Sequence, residues 1–405
     1  MAGLTCARNL IDKGFEVTLL EADQTIGGRV QTDLVDGYRF DRGFQVLQLA
    51  YPAAKKLLDY DMLEIKKFPP GVRIRAANSF HVLADPLRKP AYITKALFSK
   101  VGTFADRLKL ARLAVEVNAV SLEKLFEKDE MLVQDFLVSY GFSDSMITRF
   151  FKPFMTGVCL DPGLQVTNRF LLFVLRMFVQ GDVGVPALGM GEIPKQLAKT
   201  ITAERIVCNA AVESLEGTTV TLENGQQITG EAVVLATPAP ETARLLGKPY
   251  SMKSSREMCF YYSTREAPIK EPFLTLNGEE NGLINSVNFS SMVAPDYAPA
   301  GSQLISAVVP GYPDAPETEI EKTVRNELKE WFGNQTDTWE MLRSYTISHA
   351  LPQPAPPSSN PFMQRSHLGN NIFDCSELST MPAIQWALLA GERAAEEVTN
   401  ILKTS

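Results

Sequence analysis

Apolar and polar positions follow two different spacings at the start of the chain. In AGLTCARNLIDKG the apolar residues recur with helical spacing, and Gly14 follows as a residue that ends helices. FEVTLLEAD then has the short apolar run of a buried strand that finishes in acidic residues. A helix followed by such a strand is the second half of a βαβ unit. The pattern therefore predicts a nucleotide-binding fold at the start of the chain.

The spacing of apolar positions changes along the chain. Between about residues 85 and 180, stretches such as TFADRLKLARLAVEVNAVSLEKLFEK have helical periodicity without strand alternation. Strand-like segments follow residue 200, where Asn224-Gly225 predicts a hairpin, as Asp36-Gly37 predicts an earlier turn. ALPQPAPPSSNP is a Pro-rich connector, and PAIQWALLAGERAAEEVTNILK predicts a final helix.

The predicted fold class is α/β, with a discontinuous Rossmann-like domain and an inserted α+β substrate domain. Residues 1–80, 186–245 and 351–405 are predicted to form the nucleotide-binding parts. Residues 81–185 are predicted to form a helical insert, and residues 246–350 a mixed β/α insert.

Composition narrows the functional classes. The chain has 405 residues, of which 45% are hydrophobic and 21% charged, as in ordinary globular proteins. A net charge of −7 argues against a general nucleic-acid binder. Five scattered cysteines and three histidines give no zinc-binding pattern and favour a reducing, cytoplasmic compartment. The charged first segment is not typical of a signal peptide, and FLLFVLRMFV is too short to span a bilayer.

The first residues match the second half of a dinucleotide-binding motif. In G-x-G-x-x-G the glycine backbone approaches a pyrophosphate at a helix N-terminus, and an acid after the next strand binds a ribose. Ala2-Gly3 fits the end of this motif, and Glu21 follows Gly3 by 18 residues. Taken alone, the pattern fits equally well an ordinary βαβ turn with a surface Glu. The stretch EADQTIGGRV favours the nucleotide, because Gly27-Gly28 can present amides to a phosphate and Arg29 can form a charge-assisted contact.

The extended pattern resembles the FAD-dependent superfamily of flavin amine oxidases, phytoene desaturases and protoporphyrinogen oxidases. The residues that carry the resemblance are Glu21, Ala22, Gly27, Gly28, Arg29, Thr32, Asp41 and Gly43. PALGMGEIPKQLA, SHALPQP and FFKPFMTGVCLDP are similar to later segments of these proteins, so the resemblance covers nearly the whole chain and is nearer the desaturase-like branch.

The resemblance implies FAD as cofactor and an FAD-binding role for the three nucleotide-binding parts. The implied cofactor-binding residues are Gly3, Glu21, Ala22, Gly27, Gly28, Arg29, Gly43, Phe44, Val212, Ala236, Thr237, Glu377, Ala383 and Ile384. His81, His349 and His367 are isolated in the sequence and are interpreted as surface or packing residues, so no catalytic side chain is predicted.

Two places depart from the family pattern. At the start, Met1 occupies the position before Ala2-Gly3, and the family's first strand and G-x-G are absent. We expect that a start codon was assigned inside the gene. The alternative is a shortened protein that has lost tight flavin binding, because a central strand of a parallel sheet would be missing.

The second departure is near the end of the chain. Ser376-Glu377 stand where the family has Gly-Asp, and Trp386 stands where it has a small residue. Either Trp386 crowds the pyrimidine end of the flavin and weakens its binding, or a small helix shift accommodates both changes.

The predicted reaction is dehydrogenation, or redox-neutral isomerisation, of a lipophilic polyene-like substrate. The Phe-, Leu- and Met-rich helical insert suits a long apolar pocket, although apolar stripes usually form core. Leu378 stands where amine oxidases often carry a cage aromatic, which disfavours the first alternative, an amine or amino acid substrate. A second alternative is a flavin-free binding protein that has kept the fold.

Segment 88–113 is rich in Lys and Arg around one acid, Asp106. A basic amphipathic helix there would contact an anionic membrane surface, where lipophilic substrates are found. The alternative is a solvated helix face.

Overall fold

The computed structural model describes residues 1–84, 88–92, 99–250, 253–311, 313–353 and 355–403. Its α-helices are Ala2–Asp12, Pro52–Leu57, Phe104–Ala119, Leu122–Phe126, Val133–Ser139, Asp144–Met146, Lys152–Cys159, Asn168–Gln180, Glu192–Ala198, Ala239–Leu245, Ser290–Val293, Glu317–Phe332 and Ile384–Leu402, with a π-helical turn at Ile147–Phe151. No helix among the described residues has the length and apolar character needed to cross a membrane.

The nucleotide-binding sheet is in two separate pieces. Leu19–Leu20 pairs in parallel with Ile206–Val207. Val233–Leu235 pairs in parallel with Ile372–Asp374, whose other neighbour is the antiparallel strand His367–Gly369. The strand predicted in FEVTLLEAD is only two residues long, because the described residues give it a partner on one side alone. No ladder joins the two pieces among the described residues, and an opening lies between them.

The first and last helices pack closely beside this sheet. Gly391 lies against the carbonyl of Ala2 so closely that a Cβ atom at residue 391 would overlap it. Below this contact Leu10 packs with Ala394 and Val398 in one buried cluster. Small residues on the last helix therefore let its backbone approach the start of the first helix.

A mixed seven-stranded sheet forms the second layer. Its strands, in spatial order, are Glu340–Pro352, Ser254–Thr264, Gln303–Pro310, Ser286–Asn288, Leu274–Asn277, Gly71–Ala76 and Ser79–Ala84. The strand Gly71–Ala76, which was assigned from the sequence to the first FAD-binding part, pairs with Leu274–Asn277 and so joins the sheet formed mainly by residues 246–350. The pairing joins strands about 200 residues apart, which local sequence patterns do not reveal.

The strand Ser254–Thr264 is buried on both faces. Phe260 and Tyr262 point into a cluster that includes Trp331 of the helix Glu317–Phe332. Cys259 and Tyr261 point to the opposite side, into the cluster shared with the nucleotide-binding region. The two-residue period of a strand thus directs alternate side chains into two different cores.

Short antiparallel pairs complete the structure. The hairpin Thr32–Val35 with Tyr38–Asp41 turns at Asp36-Gly37, and the hairpin Thr219–Leu222 with Gln227–Thr229 turns at Asn224-Gly225. Both hairpins are as predicted, because Gly37 and Gly225 have positive φ values that these turns require. The remaining pairs join Val212–Glu216 to Thr219–Leu222, and both Leu47–Gln48 and Lys66–Lys67 to Val183–Val185.

The helical insert surrounds an aromatic core that includes Phe126, Phe151 and Phe173. The helix Phe104–Ala119 begins with a capping box in which Thr103 and Asp106 bind each other's backbone amides. Burial alone would raise the pKa of Asp106, but hydrogen bonds from Ser143 and Thr103 lower it to about 2. Of the basic segment 88–113, residues 93–98 lie outside the described part of the chain.

Asp41 joins three parts of the fold through its carboxylate. It accepts hydrogen bonds from the Thr32 hydroxyl, from the Met190 amide at 2.9 Å and from the Tyr297 hydroxyl at 2.8 Å. The Thr32 hydroxyl also accepts a hydrogen bond from the Gly191 amide at 2.8 Å. The first hairpin, the Gly-Met-Gly turn at residues 189–191 and the short turn Pro295–Tyr297 are thus held at one buried point.

Burial raises the pKa of Asp41 to about 6, and the three hydrogen bonds only partly offset that effect. The folded state therefore binds a proton more tightly than the unfolded state, whose Asp pKa is about 3.9. We predict that the stability contributed by protonated Asp41 is lost as pH rises from about 4 to about 6, by on the order of 3 kcal/mol. Urea unfolding of wild type and Asp41→Asn at several pH values measures this difference.

Asp33→Asn is a control for which the expected pH dependence of stability has the opposite sign. Burial raises the pKa of Asp33, but hydrogen bonds from Tyr345 and Arg42 outweigh burial, and the pKa is lowered. Asp33→Asn should therefore lose stability relative to wild type as pH rises. A pH-independent difference between wild type and Asp41→Asn would contradict the prediction.

Candidate functional site

One cavity of about 1900 Å³ runs between the nucleotide-binding region and the seven-stranded sheet. Typical small-molecule pockets have volumes of roughly 300–1,000 Å³. Leu19 in one sheet piece and Val234 in the other both line the cavity. The cavity therefore also extends into the opening between the two pieces. Its volume is large enough for a dinucleotide together with a second molecule.

The predicted cofactor residues lie at this cavity. Thirteen of them line its wall: Gly3, Glu21, Ala22, Gly27, Gly28, Arg29, Phe44, Val212, Ala236, Thr237, Glu377, Ala383 and Ile384. Gly43 is not in the wall itself, but it stands between the lining residues Arg42 and Phe44. Segments that are up to 380 residues apart in sequence therefore meet at one surface.

Two helix N-termini open onto the cavity. Gly3 is in the first turn of the helix Ala2–Asp12, and a Cβ atom at residue 3 would lie 3.0 Å from Cβ of Ala236. Ala383 precedes the last helix and accepts hydrogen bonds from the amides of Trp386 and Ala387. The first amides of each helix have no partner within the helix, so both ends offer N–H donors and a positive dipole to an anion.

A tight glycine turn lies beside the first helix. The Val30 amide donates to the Gly27 carbonyl at 3.1 Å, and Gly27 and Gly28 have φ values of 125° and 59°. A Cβ atom at Gly27 would lie 2.7 Å from the carbonyl oxygen of Val30. Only glycine fits this conformation without strain, and the absence of side chains leaves the turn open to the cavity.

Arg29 binds protein groups as well as facing the cavity. Its guanidinium donates to the Ala350 carbonyl at 2.8 Å and forms an ion pair with Glu377. The guanidinium thus links the Gly27-Gly28 turn to Glu377, which stands where the family has the acid of its Gly-Asp pair. In this arrangement Arg29 orients Glu377 in addition to contributing positive charge.

Glu377 is held by residues from three segments. It forms a 2.8 Å hydrogen bond with Nε2 of His349 and accepts a 3.4 Å hydrogen bond from the Ala239 amide. Burial raises the pKa of Glu377, but His349 and Arg29 outweigh burial and lower it, so the carboxylate is ionised at neutral pH. His349, which is isolated in the sequence, has a partner in this site. Its place in SHALPQP, just before Ala350, was the only sequence signal.

Glu21 and Val212, two of the predicted cofactor-binding residues, both line the cavity. The Glu21 side chain accepts a hydrogen bond from the Asp23 amide at 3.0 Å. Its main chain bonds Val207 and Ala210, which brings the strand that leads to Val212 alongside. Arg244 donates to the Val212 carbonyl at 2.7 Å, so a ligand there would meet a carbonyl that is already engaged.

Trp386 does not crowd the cavity. Its ring is fully buried and lies 4.9 Å from the ring of Phe173 and 5.3 Å from those of Phe126 and Phe362, measured between centroids. The side chain points into the core of the helical insert, and the cavity wall does not include it. The alternative in which Trp386 crowds the flavin is therefore wrong. The indole packs against aromatic rings on the side of the last helix that faces away from the cavity.

These residues fit the diphosphate and ribose of FAD. Two helix N-termini and a glycine turn face one space, and side chains at Gly3 or Gly27 would fill part of it. Glu21 and Glu377 supply acceptors for sugar hydroxyls at separate places in the cavity.

Comparison with known proteins agrees with this geometry. The family model described as flavin containing amine oxidoreductase matches residues 1–399. An oxidoreductase from Methanosarcina mazei has 17% sequence identity and a TM-score of 0.73, covering 100% of this chain and 98% of that chain. A proposed protoporphyrinogen oxidase from Exiguobacterium has 14% identity and a TM-score of 0.74, covering 100% and 97%. Cyclohexylamine oxidase from Brevibacterium oxydans has 13% identity and a TM-score of 0.72, covering 99% and 97%. No curated protein sequence gives a match. At these identities the structural likeness shows the fold.

We predict that Gly3→Val weakens FAD binding by about tenfold or more, equivalent to roughly 1.4 kcal/mol, because the added methyl groups block the first helix amides. Fluorescence titration of the protein with FAD measures the affinity. Asn9→Val adds the same side chain to the same helix away from the cavity and should leave the affinity unchanged. Equal affinity of Gly3→Val and Asn9→Val would contradict the prediction.

Proposed function

The chain belongs to the family of flavin-containing amine oxidoreductases, whose cofactor is FAD, and we propose that it oxidises a lipophilic substrate in the apolar part of its cavity. FAD, when bound, accepts the electrons. The protein's own residues hold the cofactor, orient the substrate and exclude water. Membership of a flavin-containing family leaves the flavin-free alternative without support.

The apolar lining at one end of the cavity carries the proposal. Residues from two helices and one strand, with Leu160 just after the first helix, form this lining, here called the apolar chamber: Phe154, Val158, Leu160, Phe170, Val174, Met177, Phe178, Leu274 and Leu276. Phe170, Val174, Met177 and Phe178 repeat at helical spacing on one face of Asn168–Gln180. The apolar stretch FLLFVLRMFV thus contributes both to the core and to the cavity wall.

The arrangement of the Phe44 and Phe68 rings disfavours an aromatic cage for an amine. The rings of Phe44 and Phe68, which line the cavity, meet edge to face at 81° with centroids 6.4 Å apart. Two parallel rings would be needed to enclose an amine as a cage, and this pair does not provide them. A long hydrocarbon gains free energy in such a chamber through burial of its apolar surface, by about 25 cal/mol per Å².

An amine is the second candidate substrate. The family description names amines, and one structural neighbour is described as cyclohexylamine oxidase. A buried carboxyl group in the cavity wall, Glu257, favours this candidate.

We predict that Val174→Trp, which fills the apolar chamber, lowers kcat/KM for a lipophilic substrate by about tenfold or more, while FAD content stays the same. Anaerobic reduction of the flavin by an isoprenoid polyene or by an alkylamine, followed by absorbance, measures the rate. Val179→Trp is the matched control, because Val179 is on the same helix but 44% exposed. Equal loss in both variants would contradict a substrate in this chamber.

An exposed apolar stripe supports contact with a membrane surface. Phe104, Leu108 and Val115 lie on one face of Phe104–Ala119 and are each more than half exposed. Arg112 is exposed beside them, where it forms an ion pair with Glu116. A lipophilic substrate would reach the protein from such a surface.

We predict that replacing Phe104, Leu108 and Val115 together by Ser lowers binding to phosphatidylglycerol vesicles by at least about tenfold, because burial of each side chain contributes roughly 1.5–3 kcal/mol. Vesicle flotation measures the bound fraction. Met363→Ser removes a side chain that is 79% exposed elsewhere and should have no effect. Absence of wild-type binding to these vesicles would eliminate the membrane proposal.

A further inference from the structure

His349 lies in an irregular part of the edge strand of the seven-stranded sheet. Ser255 of the neighbouring strand pairs with Leu351, and Glu257 pairs with Ile347, so four steps along the edge strand face two along its neighbour. Such a bulge changes the direction in which a side chain points, and bulges are common beside functional sites. The extra residues therefore free His349 from the regular alternation of side chains along the strand.

The His349 side chain fixes one end of the Glu377 carboxylate. Nε2 of His349 lies 2.8 Å from Oε2 of Glu377, and an ionised carboxylate can only accept hydrogen bonds, so Nε2 is the donor. Oε1 faces the guanidinium of Arg29 in an ion pair. Two side chains from separate segments therefore hold the two oxygens of one buried carboxylate.

His349 does not line the cavity in which the cofactor residues meet. Its neighbours in the strand, Ile347, Ala350 and Leu351, line the cavity, and so does Glu377, but His349 is not part of the wall. An effect of His349 on a ligand must therefore pass through the Glu377 carboxylate. In this arrangement His349 is a positioning residue, and Glu377 is the residue that contacts the ligand.

A fixed carboxylate binds a hydroxyl group more tightly than a mobile one. A glutamate side chain has three rotatable bonds, and its ordering costs conformational entropy. Where the protein has already ordered the side chain, that cost does not reduce the affinity for the ligand. Oε1 of Glu377 accepts no aligned hydrogen bond from the described residues, so it keeps the capacity to accept one from a ligand.

We propose that His349 positions Glu377 to accept a hydrogen bond from a sugar hydroxyl of FAD and thereby sets the affinity for the cofactor. The proposal rests on the cofactor of the proposed function and not on its substrate. Glu21, which follows the strand Leu19–Leu20, is the acid at the adenosine ribose. Loss of His349 should therefore weaken the binding of only one half of FAD, the half away from that ribose.

Binding of FAD and of ADP to the protein in its FAD-free form tests the proposal, by fluorescence titration for FAD and by calorimetry for ADP. ADP contains the adenosine ribose and the diphosphate but no flavin half. We expect His349→Leu to weaken FAD binding by about tenfold, equivalent to roughly 1.4 kcal/mol, and to leave ADP affinity unchanged. Glu21→Gln should weaken the binding of both ligands. Equal loss for both ligands in His349→Leu would show a general structural role and overturn the proposal, as would unchanged FAD affinity.

A double-mutant cycle with Glu377→Asp shows whether His349 acts through this carboxylate. Aspartate is one methylene shorter, so its carboxylate is withdrawn from Nε2 of His349. In the Glu377→Asp background, His349→Leu should change FAD affinity by less than about twofold, because the two side chains no longer interact. A loss in that background as large as in wild type would contradict the proposed route.

Two further variants control for the imidazole itself. His349→Gln keeps an N–H donor at a similar distance from the main chain and should recover most of the FAD affinity. His367→Leu removes an exposed imidazole from the strand His367–Gly369 and should leave both affinities unchanged. A His349→Gln variant that binds FAD as weakly as His349→Leu would contradict the role of the donor.

Failure of the proposed function has a different signature, because these binding measurements need no substrate. A protein that behaves as expected with FAD and ADP but oxidises no lipophilic substrate contradicts only the proposed function. A protein that oxidises such a substrate, but binds FAD equally well in wild type and His349→Leu, contradicts only the role of His349.

Discussion

The contact between the first and last helices is the constraint on which the cofactor site depends. Gly391 allows the last helix to lie against the Ala2 carbonyl, at the point where the first helix begins. This contact places two helix N-termini, from opposite ends of the chain, on one cavity. Two aligned sets of free amides bind a diphosphate more effectively than either set alone, because both dipoles favour the same negative charge.

Two buried carboxylates fix the remaining segments around that contact. Glu377 joins the Gly27-Gly28 turn to the end of the sheet strand Glu340–Pro352 through Arg29 and His349. Asp41 joins the first hairpin to the Gly-Met-Gly turn and to Tyr297. Each carboxylate accepts hydrogen bonds from segments that are distant in sequence, in place of the water it would bind in the unfolded chain. These segments cannot shift relative to each other without leaving buried polar groups unpaired.

Local sequence chemistry predicted the parts of the fold that depend on neighbouring residues. The turns at Asp36-Gly37 and Asn224-Gly225 and the helix that ends before Gly14 follow from backbone preferences alone. Thirteen of the residues predicted from the family pattern line one cavity. The sequence could not show the direction of Trp386, the partner of His349 or the burial of Glu257. These depend on strands and helices that meet only after folding, and the pairing of residues 71–76 with 274–277 has the same origin.

A crystal structure of the protein with FAD would show whether both helix N-termini bind the cofactor. We expect the diphosphate oxygens to lie within hydrogen-bonding distance of backbone amides from both helices, near Gly3 and near Ala383-Ile384. A ribose hydroxyl should bind Glu21. A diphosphate bound away from either helix, or a flavin bound at another surface, would contradict the account.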